Sequence, residues 1–84
     1  MRLIFSTQAW EDYLYWQSTD NKILDRVNTL IEQTSRNPFK GIGKPEPLKH
    51  ALAGWWSRRI DSEYRMVYRK KDNSLEIAQL RYHY

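Results

Sequence analysis

Trp55-Trp56-Ser57-Arg58-Arg59-Ile60-Asp61-Ser62-Glu63-Tyr64-Arg65-Met66-Val67-Tyr68-Arg69 is the stretch whose reading decides the fold. Both halves alternate with the period of a β-strand, and the polar Asp61-Ser62-Glu63 between them fits a hairpin turn. In the first half Ser57 and Arg59 share one face, and Trp56, Arg58 and Ile60 share the other. In the second half Tyr64, Met66 and Tyr68 lie opposite Arg65, Val67 and Arg69. Lys71-Asp72-Asn73-Ser74 is a second turn signal, and Leu75 to Tyr84 reads as a further strand. Strict alternation there puts Ile77, Gln79, Arg81 and His83 on one face and Ala78, Leu80 and Tyr82 on the other.

Upstream of this sheet the pattern changes. Residues 35–47 hold all three prolines (Pro38, Pro45, Pro47) and two of the three glycines, and read as a loop. A loop of this length in so small a domain is often functional. Ile23, Leu24, Val27, Leu30 and Ile31 recur at helical spacing, with Thr19 and Asp20 marking the start of their helix. A preceding helix carries Trp10, Tyr13 and Leu14 at the same spacing. Ser6 or Thr7 offers its N-cap oxygen, and Glu11 and Asp12 suit its positive end. Arg2-Leu3-Ile4-Phe5 fits a short first strand. The expected architecture is one α+β domain over residues 1–84, with two N-terminal helices packed on a mainly antiparallel, twisted sheet.

Composition narrows the chemistry. The 84 residues hold four Trp, six Tyr and two Phe, more rings than one small core needs. The surplus suits stacking on bases or a partner interface. There is no cysteine, so a disulfide framework and a thiolate metal site are excluded. His50 and His83 lie far apart in sequence, which disfavours a histidine metal site. No cofactor is expected. No stretch is long and apolar enough for a membrane span, and the N-terminus lacks a signal-peptide pattern, so a cytoplasmic protein is expected. Residues 1–36 carry four Lys/Arg against five Asp/Glu, whereas residues 37–84 carry ten against five, for the overall net charge of +4. A basic, aromatic-rich half points to a polyanion, nucleic acid before membrane.

Three features combine into a possible active site. The sequence ends on Arg81-Tyr82-His83-Tyr84, a histidine between two tyrosines. Histidine titrates near neutral pH without help. If Met66, Tyr68, Ala78 and Leu80 face the helices, then Arg59, Arg65, Arg81 and His83 share the opposite, cationic face. In Pro45-Glu46-Pro47 two prolines fix the backbone around a carboxylate, and Lys49 follows. Carboxylate, imidazole, guanidinium and ammonium are the groups that metal-free RNA cleavage uses. The carboxylate takes the proton of a ribose 2′-OH, the imidazolium protonates the departing 5′ oxygen, and the cations stabilise the charge on phosphorus. Each residue also has an ordinary reading, as a loop carboxylate, a solvated charge or an edge-strand aromatic. His50 reads as a packing or surface residue. Residue type and spacing alone fit either a nuclease or a basic binding module.

A family resemblance separates these. Gly43-Lys44-Pro45-Glu46-Pro47-Leu48-Lys49-His50, Trp56-Ser57-Arg58-Arg59-Ile60, Arg65-Met66-Val67-Tyr68 and Arg81-Tyr82-His83-Tyr84 closely resemble the YoeB toxins. So does Trp10-Glu11-Asp12-Tyr13-Leu14-Tyr15-Trp16 followed by Thr19-Asp20. The resemblance covers essentially the whole chain. It implies a RelE-like, microbial-ribonuclease-type fold within the RelE/ParE superfamily of type II toxin–antitoxin modules. It implies a ribosome-dependent endoribonuclease that cuts mRNA in the ribosomal A site and so inhibits translation. Among residues, it implies Glu46 as general base, His83 as general acid and Arg65 as stabiliser of phosphate and transition state. Lys49 and Arg59 would support the phosphate, and Tyr84 would stack on or orient the substrate.

Partners follow from the same resemblance. They are mRNA, the ribosome, a YefM-type antitoxin that wraps the toxin, operator DNA only through the antitoxin complex, and a second copy in a homodimer. Two rivals keep the same fold: a ParE-like inhibitor that binds gyrase without catalysis, and a general RNA-binding module. Glu46 together with His83 distinguishes them, since a protein that only binds needs neither an acid nor a base.

Overall fold

The computed structural model describes residues 1–83. A five-stranded sheet carries two helices, in the order β1 (Arg2–Phe5), α1 (Thr7–Thr19), α2 (Asn21–Arg36), β2 (Glu46–Pro47), β3 (Trp56–Arg59), β4 (Arg65–Lys71) and β5 (Ser74–Gln79). The strands lie in the order β1-β5-β4-β3-β2. Only β1 with β5 is parallel; the other three pairs are antiparallel. No helix among the described residues is long and apolar enough to cross a membrane.

Local chemistry sets the helix boundaries. Ser6 caps α1 by accepting from the Ala9 N–H at 2.9 Å. Asp20 does two jobs at the helix junction. Its N–H donates to the Trp16 carbonyl, closing α1, while its carboxylate accepts from Lys22 and Ile23, opening α2. The α2 stripe reaches the core as its periodicity requires, with Val27, Leu30 and Ile31 buried and Ile23 and Leu24 packed against them. Beneath it lie Ile60, Met66, Tyr68, Leu75, Ile77 and Leu80 from the sheet and the segment that follows it.

Helix α1 departs from its expected face. Its buried residues are Ala9, Asp12 and Trp16, whereas Trp10 and Leu14 are exposed. The rings of Phe5, Trp10 and Tyr13 pack on one another at the rim, Trp10 stacked on Tyr13 with centroids 5.8 Å apart. Nor does Asp12 serve the helix dipole, for no acidic residue lies in the first turn and its carboxylate is buried.

The last strand differs from strict alternation for a definite reason. Tyr68 pairs with Ile77 and Val67 with Gln79, so one residue of β4 advances while two of β5 do. This bulge at Ala78 resets the phase. Leu75 and Ile77 face the helices before it, and Leu80 is buried after it. Ile77 therefore does not share the solvent face with Gln79. The strand also stops at Gln79, and residues 80–82 bend away, so His83 is not a strand residue.

Candidate active site

Glu46 reaches its place through a loop held by a buried guanidinium. Alternation puts Arg58 on the core face of β3, and it is fully buried. Its Nε donates to the Tyr68 hydroxyl at 3.1 Å, its Nη1 to the Ile42 carbonyl at 3.2 Å, and its Nη2 to the carbonyls of Asn37 and Lys40. The Tyr68 hydroxyl in turn donates to the Pro38 carbonyl at 2.6 Å. Burial raises the Tyr68 phenol above its ordinary value, and the Arg58 hydrogen bond and charge oppose that rise. At the end of this loop the Gly43 carbonyl accepts from the Arg59 N–H at 2.7 Å. Gly43 has φ +79°, and a β-carbon there would meet the Arg59 carbonyl and a Leu30 methyl at 3.0 Å. Only glycine lets the chain turn this close to β3. Sequence reading missed the Arg58 clamp, although a charge on the same face as Ile60 signals a buried cation in need of acceptors.

Three residues later the chain joins the sheet edge, turning what reads as loop into β2. Glu46 pairs with Ser57, Ser57 with Val67, and Val67 with Gln79, a transverse row across four strands. Directly paired residues project on the same side of a sheet, so this row lies on the face away from the helices. Arg59 pairs with Arg65 one step along the same face. Glu46 and Arg65 thus meet diagonally across β3, over the small buried side chain of Ser57. The Arg65 Nη1 lies 3.4 Å from Glu46 Oε1. The Arg65 side chain is largely covered and Glu46 is about half exposed.

Lys49 and the exposed His50 line the same hollow as Glu46, about 380 Å³ in volume, with Pro47, Leu48 and Leu52. Arg59 is exposed beside Arg65. His83 is exposed four residues beyond Gln79, the last member of the Glu46 row. Arg81 leaves the expected cationic cluster. Its guanidinium lies 3.5 Å from the centroid of the Tyr15 ring on α1. Arg69, also on this face, is engaged by the Glu76 carboxylate and by the Trp55 ring at 4.4 Å. Tyr84 lies outside the described residues. The structure therefore brings Glu46, Arg65 and Arg59 together on one edge of the bare sheet face, and Lys49 lines a hollow with Glu46.

A larger cavity of about 610 Å³ lies elsewhere, between β1 and the helices, lined mainly by Leu3, Phe5, Trp10, Tyr13 and Ile31. Its lining is mainly apolar, and the Glu32–Arg36 pair on it is an exposed contact within α2, 3.8 Å apart. A carboxylate against a guanidinium, with the Arg59 cation alongside, can take a proton from a sugar hydroxyl and bind a phosphodiester.

Helices on one face of a mainly antiparallel sheet, with this polar edge on the other, define an α+β domain of the class the YoeB/ParE toxins share. Residues 5–84 match the family model of the YoeB-like toxin of bacterial type II toxin–antitoxin system. The YoeB toxin of Escherichia coli strain K12 is 60% identical over 84 residues, covering all of both chains. A YoeB/ParE toxin from Agrobacterium tumefaciens superposes with a TM-score of 0.96 at 48% identity, again over all of both chains. YoeB of Staphylococcus aureus, solved as a dimer and in a heterotetrameric complex with YefM, gives TM-scores of 0.93 and 0.92 at 47% identity, covering 100% of this chain and 98% of that one. This chain belongs to the YoeB family of toxins of type II toxin–antitoxin systems.

Proposed function

We propose that the chain is a ribosome-dependent mRNA endoribonuclease that inhibits translation by cutting message in the ribosomal A site. The observation that carries this reading is the Glu46–Arg65 pair on the bare sheet face, with Arg59 opposite Arg65. Glu46 takes the proton of the ribose 2′-OH. The freed O2′ attacks phosphorus, and the bond from phosphorus to O5′ breaks. His83, as imidazolium, gives its proton to O5′, leaving a 2′,3′-cyclic phosphate and a free 5′-OH. Arg65 meets the charge that grows on the non-bridging oxygens, supported by Lys49 and Arg59. Tyr84 stacks on or orients the substrate. The nucleophile is the substrate's own hydroxyl, so the scheme calls for no cofactor.

The biological setting is a cytoplasmic toxin held by a YefM-type antitoxin, as the Staphylococcus aureus relative is held by YefM. The toxin forms a homodimer, as that relative does, and touches operator DNA only through the antitoxin complex. The alternative is a ParE-like inhibitor or RNA-binding module that acts without cleavage.

The deciding experiment incubates the purified chain with programmed ribosomes and maps new 5′ ends on the message. A second message carries one 2′-deoxy sugar at the mapped site. Cleavage of the ordinary message and resistance of the deoxy message at that position are expected. Equal cutting of both removes the 2′-OH mechanism, and toxicity without any cutting favours the binding inhibitor.

A further inference from the structure

β5 ends at Gln79, so Leu80 has no strand partner, yet Leu80 is fully buried. Buried backbone groups without partners are strongly disfavoured. Helix α1 supplies both partners. The Asp12 Oδ2 accepts from the Leu80 N–H at 3.0 Å, and the Trp16 Nε1 donates to the Leu80 carbonyl at 2.9 Å. Asp12 and Trp16 are one helical turn apart on the same face, so they straddle one residue of a crossing chain. Both are themselves buried, at 2% and 3% exposure. The remaining Asp12 oxygen is engaged by the Gln8 amide at 2.7 Å, which orients the carboxylate. The Ser6 hydroxyl donates to the Ala78 carbonyl at 2.7 Å, and Arg81 lies over Tyr15.

The segment after β5 is thereby held at Leu80 and Arg81 by α1, while the Ser6 cap holds Ala78 at the end of β5. It cannot slip by one residue without breaking both Leu80 bonds and drawing the Leu80 side chain out of the core. His83 follows Leu80 by three residues. We infer that Asp12 and Trp16 are positioning residues that set where His83 stands, through the backbone of Leu80. The inference rests on the reading of His83 as general acid. The carboxylate matters because it accepts from both the Leu80 N–H and the Gln8 amide, whereas an asparagine must turn its own N–H₂ toward one of these two donors.

The test separates proton delivery from everything else. The full chain cuts two messages on programmed ribosomes in single turnover, one ordinary and one with sulfur replacing O5′ at the mapped site. A thiolate leaves without needing a proton, so loss of the general acid is forgiven on the sulfur message. His83→Gln is expected to be slow on oxygen and close to wild type on sulfur. Asp12→Asn and Trp16→Phe are expected to behave the same way, with a loss on oxygen of order 10²-fold, as misplacement by about 1 Å causes. Asp12→Asn is expected to add nothing in the His83→Gln background, and Asp12→Glu to restore part of the oxygen rate. Circular dichroism confirms folding, and Trp16→Phe carries the comparison should Asp12→Asn not fold. Equal slowing on both messages, or a full additional loss on top of His83→Gln, overturns the inference and leaves Asp12 and Trp16 as packing residues. Failure of sulfur to restore His83→Gln instead overturns His83 as the acid, a separate and visible result.

Discussion

On the proposed mechanism, removing Glu46 or Arg65 costs chemistry. Their 3.4 Å contact joins a half-exposed Glu46 to a largely covered Arg65. Glu46→Ala is expected to lower single-turnover cleavage on programmed ribosomes by ~10²–10⁴-fold. Arg65→Ala is expected to lower it by ~10²–10³-fold, the worth of one transition-state charge contact. Arg65→Lys recovers only part of this, because an ammonium lacks the planar fork that grips two oxygens. Glu46→Ala, at the half-exposed position, should melt within a few degrees of the parent. A wild-type rate in folded Glu46→Ala, mapped by 5′ ends, removes the carboxylate from the mechanism.

Arg58 shows the reverse balance. It faces away from the solvent side and ties Asn37, Lys40, Ile42 and Tyr68 together under the loop that leads to Glu46. Arg58→Met strands these acceptors and is expected to cost about 2–4 kcal/mol, a fall of at least about 8 °C in Tm for a domain this size. A Tm unchanged in thermal unfolding sinks that account. Tyr68 adds a pH signature. Burial raises its phenol above the ordinary value near 10, with Arg58 opposing. The folded state then holds the proton more tightly than the unfolded one. Its contribution is complete below pH 10 and is lost as pH rises through the higher folded value. Tyr64, raised chiefly by its hydrogen bond with Glu63, acts in the same direction. Stability should decline above pH 10, and Tyr68→Phe should flatten that decline in part. An identical alkaline slope in Tyr68→Phe counts against this source.

These elements also show what a sequence discloses. β3, β4 and α2 are legible because each has a clean period that one buried face imposes. β2 is not, since two residues between loop and turn have no period, and their pairing with Trp56 and Ser57 is non-local. The bulge at Ala78 is invisible for a related reason. Alternation carries no record of a skipped position, so it places Ile77 on the wrong face and runs the strand on past Gln79, where β5 ends. In α1 the large rings drew the reading to Trp10 and Leu14, although the inward face uses Ala9, Asp12 and Trp16. The site fared unevenly. Glu46, Arg65 and Arg59 lie together and Lys49 lines a hollow with Glu46, whereas Arg81 packs on Tyr15.

The charge asymmetry along the chain becomes an asymmetry in space. Residues 37–84, with ten Lys/Arg against five Asp/Glu, form the loop and four of the five strands, while both helices belong to the near-neutral first part. On the proposed function, the bare sheet face is the side that meets a polyanion. Not every cation there is available. Arg69 is held by Glu76 and Trp55, whereas Arg59 is exposed. Affinity for programmed ribosomes is therefore expected to fall steeply as salt rises, because phosphate contacts release bound counterions. Arg59→Gln should reduce the log–log salt slope by about 1. Replacing Arg69 and Glu76 together by Gln, which leaves net charge unchanged, should leave the slope unchanged. Equilibrium binding across a salt series, with cleavage blocked by a 2′-deoxy sugar, measures all three proteins. A slope indifferent to Arg59→Gln, or one that falls equally in the paired Arg69 and Glu76 replacement, would show that the polyanion meets a different side of the protein.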